Sequence, residues 1–252
     1  MIRRVFSLIS PLLVLASLVA LWSVASSREW VSPVFVPSPQ AAAMSLMHGL
    51  TEGTLAKQTW QTTLRMVQGW LLACLVGIAL GAAVGVSSFA RRWIAPTLEM
   101  IRPLPASAIL PLAIGLLGLS PSMVLSVVAF GSLWPVLLGT VHGFSSVDPR
   151  LNEVARCLRL TRAEFVMKIG IPNAMPDILA GMRISLTIAL IVAIVGEMIA
   201  AQQGLGRAIL MAARSFQSAD LFAGLILLGM LGFVSNAALA GIDKRLLRWQ
   251  AR

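Results

Sequence analysis

A chain of 252 residues in which 58% are hydrophobic and only 12% are charged is not a soluble globular domain, where about 45–50% apolar and about 25% charged is usual. Its apolar residues fall in blocks of about 20, the length at which a helix crosses a hydrocarbon core of roughly 30 Å, so the fold class is all-α, a polytopic transmembrane helical bundle rather than a barrel. The net charge of +10 is unaccompanied by any basic soluble domain or recognition motif, which argues against nucleic acid; basic residues in such a chain mark cytoplasmic loops facing membrane lipid.

Arg3 and Arg4 precede the apolar run Val5 to Ala25. A secretory signal has an apolar core of about 7–15 residues; this run is longer and no soluble domain follows, so it is expected to be a first span with its N-terminus inside. Pro33, Pro37 and Pro39 then break regular structure ahead of a weakly amphipathic piece at Ala41 to Leu55, while Trp30 and Trp60 suit the outer interface. The second span, Leu64 to Val86, carries Gly69, Ala73, Gly77, Gly81 and Gly85 at four-residue spacing, one stripe along which another helix can approach closely.

Arg91, Arg92 and Arg102 place the next short segment inside. The third span, Leu104 to Leu119, is short and holds Pro105 and Pro111, which predicts a kink or partial enclosure by protein. Ser120, Pro121 and Ser122 form an outer turn, and the fourth span returns over Met123 to His142. After a polar segment come a fifth span, Ile178 to Ala201, an outer segment, Gln202 to Ala219, and a sixth span, Leu221 to Ile242. Of the 20 Lys and Arg, only those at 28, 57, 65, 207 and 214 fall outside in this arrangement, the asymmetry that the positive-inside rule demands with both termini cytoplasmic.

Glu197 is the only acid within an apolar span and lies about 28 Å along the helix from Ile178, near the outer boundary. It reads as a packing or gate-lining group, with a coupled-ion site in a secondary transporter as the competing role. Cys74 and Cys157 occupy different environments and are not expected to pair, and His48 and His142 read as ordinary polar residues. Paired carboxylates, metal clusters, an activated nucleophile and a phosphate-cradling glycine loop are all missing from the sequence. The expectation is therefore a chain that is not an enzyme, needs no cofactor and does not itself bind ATP.

The polar segment Asp148 to Pro172 lies between apolar blocks. Asp148-Pro149 is a helix start, with a capping oxygen followed by a residue whose missing N–H costs nothing in the first turn. Leu151, Val154, Ala155 and Leu158 then share one apolar face, and Glu153 and Arg156 fall off it. A second short helix is expected from Thr161, where Thr161 and Glu164 have capping-box spacing, through Phe165 and Ile169 until Pro172 ends it. From periodicity alone the segment fits either a protein partner or the inner lipid surface.

Glu153-Val154-Ala155, three residues, Arg159, nine residues, then Ile169-Gly170-Ile171-Pro172 resembles the cytoplasmic signature of binding-protein-dependent ABC importer permeases: Glu-Ala-Ala, three residues, Gly, nine residues, Ile, any residue, Leu-Pro. Pro37-Ser38-Pro39, Leu179-Ala180-Gly181-Met182-Arg183, Gly196-Glu197-Met198-Ile199-Ala200 and Gly204-Leu205-Gly206 look most like the nitrate, sulfonate and taurine branch, and the resemblance runs from Pro33 onward. It implies a single permease domain over 1–252, with a core of about 60–245 and a coupling loop at 148–172 between spans four and five. Expected partners are a cytoplasmic ATPase in two copies, a second permease copy forming a homodimer, and an extracytoplasmic solute-binding protein that delivers a small anion, which the permease moves across the bacterial inner membrane.

The resemblance also assigns ATPase-docking roles. Glu153 would make a polar or ionic contact, Val154 would supply apolar surface, Ala155 would allow close approach, Leu158 and Leu160 would make apolar contact, and Arg159 and Arg162 would form the rim. Val154 and Ile171 depart from the pattern while staying apolar. Arg159 stands where the family has Gly, so either the turn changes shape or a left-handed backbone is held by a residue that it costs roughly 1 kcal/mol or more.

Overall fold

The structure, a computed structural model, describes the backbone of residues 2–101 and 103–247 and the side chains of all of these except 2–12, 88 and 95. Arg102, Arg248 and Arg252, three of the cations assigned inside, lie outside the described residues, as do the side chains of Arg3 and Arg4. In chain order the helices are α1 (Ile2–Ser27), α2 (Pro39–Thr51), α3 (Leu55–Val86), α4 (Ser88–Trp93), α5 (Ala95–Ile101), α6 (Ala106–Leu117), α7 (Pro121–Ser145), α8 (Pro149–Cys157) and α9 (Arg162–Phe165). A π turn, Val166–Gly170, leads into α10 (Ile171–Ile199), followed by α11 (Leu205–Arg214) and α12 (Ser218–Leu246). No strand occurs among the described residues.

One local device starts three of these helices. Ser38-Pro39, Ser120-Pro121 and Asp148-Pro149 each put a capping oxygen ahead of a proline in the first turn, and the side chains accept from the N–H groups of Ala41, Met123 and Arg150. Pro39 and Pro121, expected to break structure and to form a turn, therefore open α2 and α7. Pro172 differs from expectation in the same way. It sits in the first turn of α10, and helical backbone continues from Arg162 to Ile199.

Four helical runs have the length and hydropathy of a span: Leu55–Val86, Pro121–Ser145, Arg162–Ile199 and Ser218–Leu246. A bent pair, Phe89–Ile101 with Ala106–Leu117, makes a fifth, its two arms meeting at 88°. The expected third span is thus not a straight crossing, since the 12 residues of α6 reach only about 18 Å. The helix α1, apolar over Leu13–Ser27, stands where the first of the six spans was expected. Its Leu13, Leu15, Leu18 and Leu21 are exposed, as suits side chains that meet lipid tails.

The core is a three-helix stack in which α7 lies between α3 and α10. The small-residue stripe of α3 is the reason the stack is tight. A Cβ added at Gly81 would stand 2.5 Å from the Thr140 Cβ, and one at Gly85 would stand 2.6 Å from the Phe144 Cβ, closer than carbon atoms approach. Across the other face of α7, Gly143 meets the Ala174 backbone and Gly181 meets the Pro135 carbonyl. The Arg183–Asp243 ion pair joins α10 to α12, and the Trp22 indole N–H donates to the Pro37 carbonyl at 2.9 Å, tying α1 to the segment before α2.

Candidate functional site

The loop 148–172 is built by two caps. At the end of α8 the Leu160 N–H donates to the Ala155 carbonyl and the Arg159 N–H to the Arg156 carbonyl, both at 3.0 Å, and Arg159 has φ +50°. This is the paired-bond helix ending that places a left-handed residue just beyond the C-cap. The turn therefore keeps the shape that suits glycine, and Arg159 holds the backbone at the steric cost of its Cβ, about 1 kcal/mol. The next helix starts with the expected capping box: the Glu164 N–H donates to Thr161 Oγ1 at 3.3 Å and the Thr161 N–H to Glu164 Oε2 at 3.0 Å. Lys168 Nζ donates to the other Glu164 oxygen at 3.1 Å.

The four apolar positions of α8 do not share one environment. Ala155 is 7% exposed and faces its own chain, where Val86, Leu160 and Phe165 border a cleft of about 320 Å³. Val154 is 49% and Leu158 66% exposed, and Leu151 is exposed too. Ala155 is thus covered by its own chain. Glu153, Arg159 and Arg162 are exposed and Leu160 is half-buried. Among the described residues none of these three charged groups joins an ion pair.

At the opposite end of α10 the fully buried Glu197 carboxylate is surrounded by donors. The Arg65 guanidinium pairs with Oε1, the Gly206 N–H donates to Oε2 at 2.9 Å, and the Thr62 hydroxyl lies 2.9 and 3.0 Å from the two oxygens. Thr62 Oγ1 accepts in turn from the Leu205 N–H at 2.8 Å, and Arg65 Nη2 donates to the Gln203 carbonyl at 3.3 Å. Gly204 packs directly on the carboxylate, where a Cβ would collide with it. The two short motifs around Glu197 and Leu205 are therefore one knot, locking the start of α11 to α3 and α10. Sequence reasoning missed Thr62 and Arg65; Arg65, a cation one residue inside the expected start of an apolar span, was the available signal.

Between α6, α7 and α10 lies an open cavity of about 690 Å³, with Ala106, Gly131, Trp134, Gly139 and Ile188 among its walls and His142 and Asp177 also lining it. The Trp134 indole N–H is buried without a hydrogen-bond partner.

A family model described as "Binding-protein-dependent transport system inner membrane component" matches residues 73–248, a range that includes the loop, α10 and the Glu197 end of the knot. Similar curated proteins include the SsuC chain of Bacillus subtilis (strain 168), whose name marks an aliphatic sulfonates transport permease, 29% identical over 98% of this chain and 90% of that one. The taurine transport system permease protein TauC of Escherichia coli (strain K12) is 28% identical over 93% of this chain and 87% of its own. Among solved structures, a chain of the inward-facing MetNI methionine ABC transporter superposes with TM-score 0.68 at 16% identity, covering 78% of this chain and 99% of that one, which shows a shared fold.

Proposed function

The chain belongs to the family of binding-protein-dependent transport system inner membrane components, and from that premise we propose how its parts divide the work of an ATP-driven importer. It is a multi-pass permease subunit, a single domain over 1–252 with its core at about 60–245 and both termini in the cytoplasm. The loop 148–172 docks on a cytoplasmic ATPase, and the ATPase is present in two copies. Glu153 makes the polar contact, Val154, Leu158 and Leu160 the apolar ones, and Arg159 and Arg162 the rim, while Ala155 seats α8 on the permease itself. The observation that carries this reading is the rigidly capped loop that presents unpaired charge and exposed apolar surface together.

The helical run Arg162–Ile199, 38 residues and about 57 Å long, gives the loop a lever. A displacement of α8 by closing ATPases moves α10 as a body, and the Glu197 knot carries that movement to α11 on the outer face. The cavity beside α10 is not enclosed by one chain alone, and in this proposal a second copy of the chain completes the passage, as a homodimer. The relatives are named for aliphatic sulfonates and taurine, and we assign this importer a small solute of that kind, handed over by an extracytoplasmic binding protein.

The competing reading, an ion-coupled transporter using Glu197, is disfavoured because Arg65 already balances that carboxylate and both oxygens are bonded. Vesicles containing the assembled complex test the choice. Uptake of 2-aminoethanesulfonate or ethanesulfonate is expected to require hydrolysable ATP and the binding protein. Uptake sustained by an imposed ion gradient after ATP depletion would contradict the proposal.

A further inference from the structure

Of the two arms of the bent pair, which meet at 88°, only α6 follows the direction of the bundle. It runs antiparallel to α7: the two helices are joined through Gly118 and Ser120, and a Cβ added at Gly131 would stand 2.6 Å from the Ala106 Cβ. The arm Phe89–Ile101 is close to perpendicular to α6 and so lies across the bundle. Its height is fixed through α3 and α7. Phe144 stands about 36 Å along α7 from the turn at Ser120, a little more than the roughly 30 Å of hydrocarbon in a bilayer. Gly85 packs on Phe144, and the Arg91 guanidinium donates to the Gly85 carbonyl. The arm therefore leaves α3 at headgroup level, on the side where Gly170 of the loop 148–172 also meets Phe144.

Its side chains suit that level. Phe89, Trp93 and Met100 recur at i, i+4 and i+11, on one side of the arm, and all three are exposed, as is Ile94. The Phe89 and Trp93 rings lie 6.4 Å apart. Arg92 and Glu99 are exposed along the edge of that side. The helix from which the arm departs, α3, exposes Leu71, Leu72, Leu75 and Leu80 along its span, a lipid-facing pattern that the arm continues.

We infer that Phe89–Ile101 is an interfacial arm resting on one leaflet, with Phe89, Trp93, Ile94 and Met100 in the acyl boundary and Arg92 among the lipid phosphates. Aromatic side chains and cations settle at this depth, and an arm set across the bundle presents its whole apolar side to the leaflet. The import reading, on which the choice of side rests, makes this the cytoplasmic leaflet. The chain passes from the arm into Pro103, Leu104 and Pro105, which line the cavity beside α10, so the bilayer surface holds one rim of that cavity.

The test uses the permease assembled with its ATPase in vesicles of phosphatidylcholine and phosphatidylglycerol, with Cys157→Ser removing the exposed native thiol while Cys74 stays buried. Trp93→Cys and Met100→Cys carry a nitroxide, and Phe89→Cys replaces either one that fails to fold. Collision with oxygen and with a water-soluble nickel chelate reads the depth. Leu75→Cys and Glu52→Cys, both at exposed positions, supply the lipid and water references. The labels on the arm are expected about 5–10 Å below the lipid phosphates. Arg92→Glu should move them toward water, and more so with phosphatidylglycerol than in phosphatidylcholine alone.

Nickel contact equal to that at Glu52→Cys would overturn the inference. So would shielding from both reagents, which means that the ATPase or a second copy covers the arm. An unchanged depth in Arg92→Glu would overturn the place given to that guanidinium. ATP-driven uptake by the parent complex in the same vesicles separates the two levels. Uptake with nickel-exposed labels removes the arm alone, and labels at depth without uptake remove the import reading and leave the arm on its leaflet.

Discussion

The two ends of α10 treat charge in opposite ways. At the inner end the loop leaves Glu153 exposed among Arg150, Arg156, Arg159 and Arg162, with none of the five in an ion pair among the described residues. At the outer end Glu197 is fully buried and bonded to Arg65, Thr62 and the Gly206 N–H. Exposed charges that ignore one another contribute little to folding and remain free to meet a partner. A buried carboxylate with every oxygen satisfied is an internal cross-link, and its removal is felt by the fold. The proposed division of work puts recognition at the loop end and mechanical continuity at the Glu197 end.

The comparison breaks most readily at Glu197. Glu197→Ala leaves the Arg65 guanidinium facing an empty, largely buried site and is expected to destabilise the folded chain by about 3–5 kcal/mol. Exchange of both partners for Leu should recover much of that loss, since neither charge is then left alone. Thermal unfolding of the detergent-purified complex measures both, and a single variant as stable as the parent would show that the knot is not a cross-link. A smaller effect of opposite sign is expected at the inner end. Arg159→Gly relieves a left-handed backbone held by a residue with a Cβ and should stabilise the protein by about 1 kcal/mol, with α8 unmoved. A loss of stability there would mean that the Arg159 side chain supports the turn.

Much of this was legible in the chain because its causes are local. The capping box at Thr161 and Glu164, the helix start at Asp148-Pro149 and the glycine stripe of α3 each depend on residues a turn or so apart, and each occurs as expected. The left-handed turn at Arg159 was visible only through the family position where glycine stands, because nothing in arginine signals it. Pro172 misled for a physical reason: a proline that ends one helix and a proline in the first turn of another are the same residue in sequence, and only the path of the chain distinguishes them. Ala155 is the buried member of its face, and periodicity could not show this because it defines an apolar face without saying which of its residues the bundle covers. Arg65 and Thr62 stand 132 and 135 residues from Glu197, so their meeting is a product of how α3 and α10 pack around α7.

The most direct measurement is recovery of the cytoplasmic ATPase with the permease when Glu153 is changed to Lys. Charge reversal at an exposed, unpaired position should leave membrane insertion and the yield of permease unchanged. It should also cut the co-purified ATPase by about tenfold or more, the scale set by opposing charges placed across an interface, and ATP-driven uptake should fall with it. A Glu153→Lys permease that brings down its ATPase in full and transports normally would contradict the assignment of this loop as the docking element.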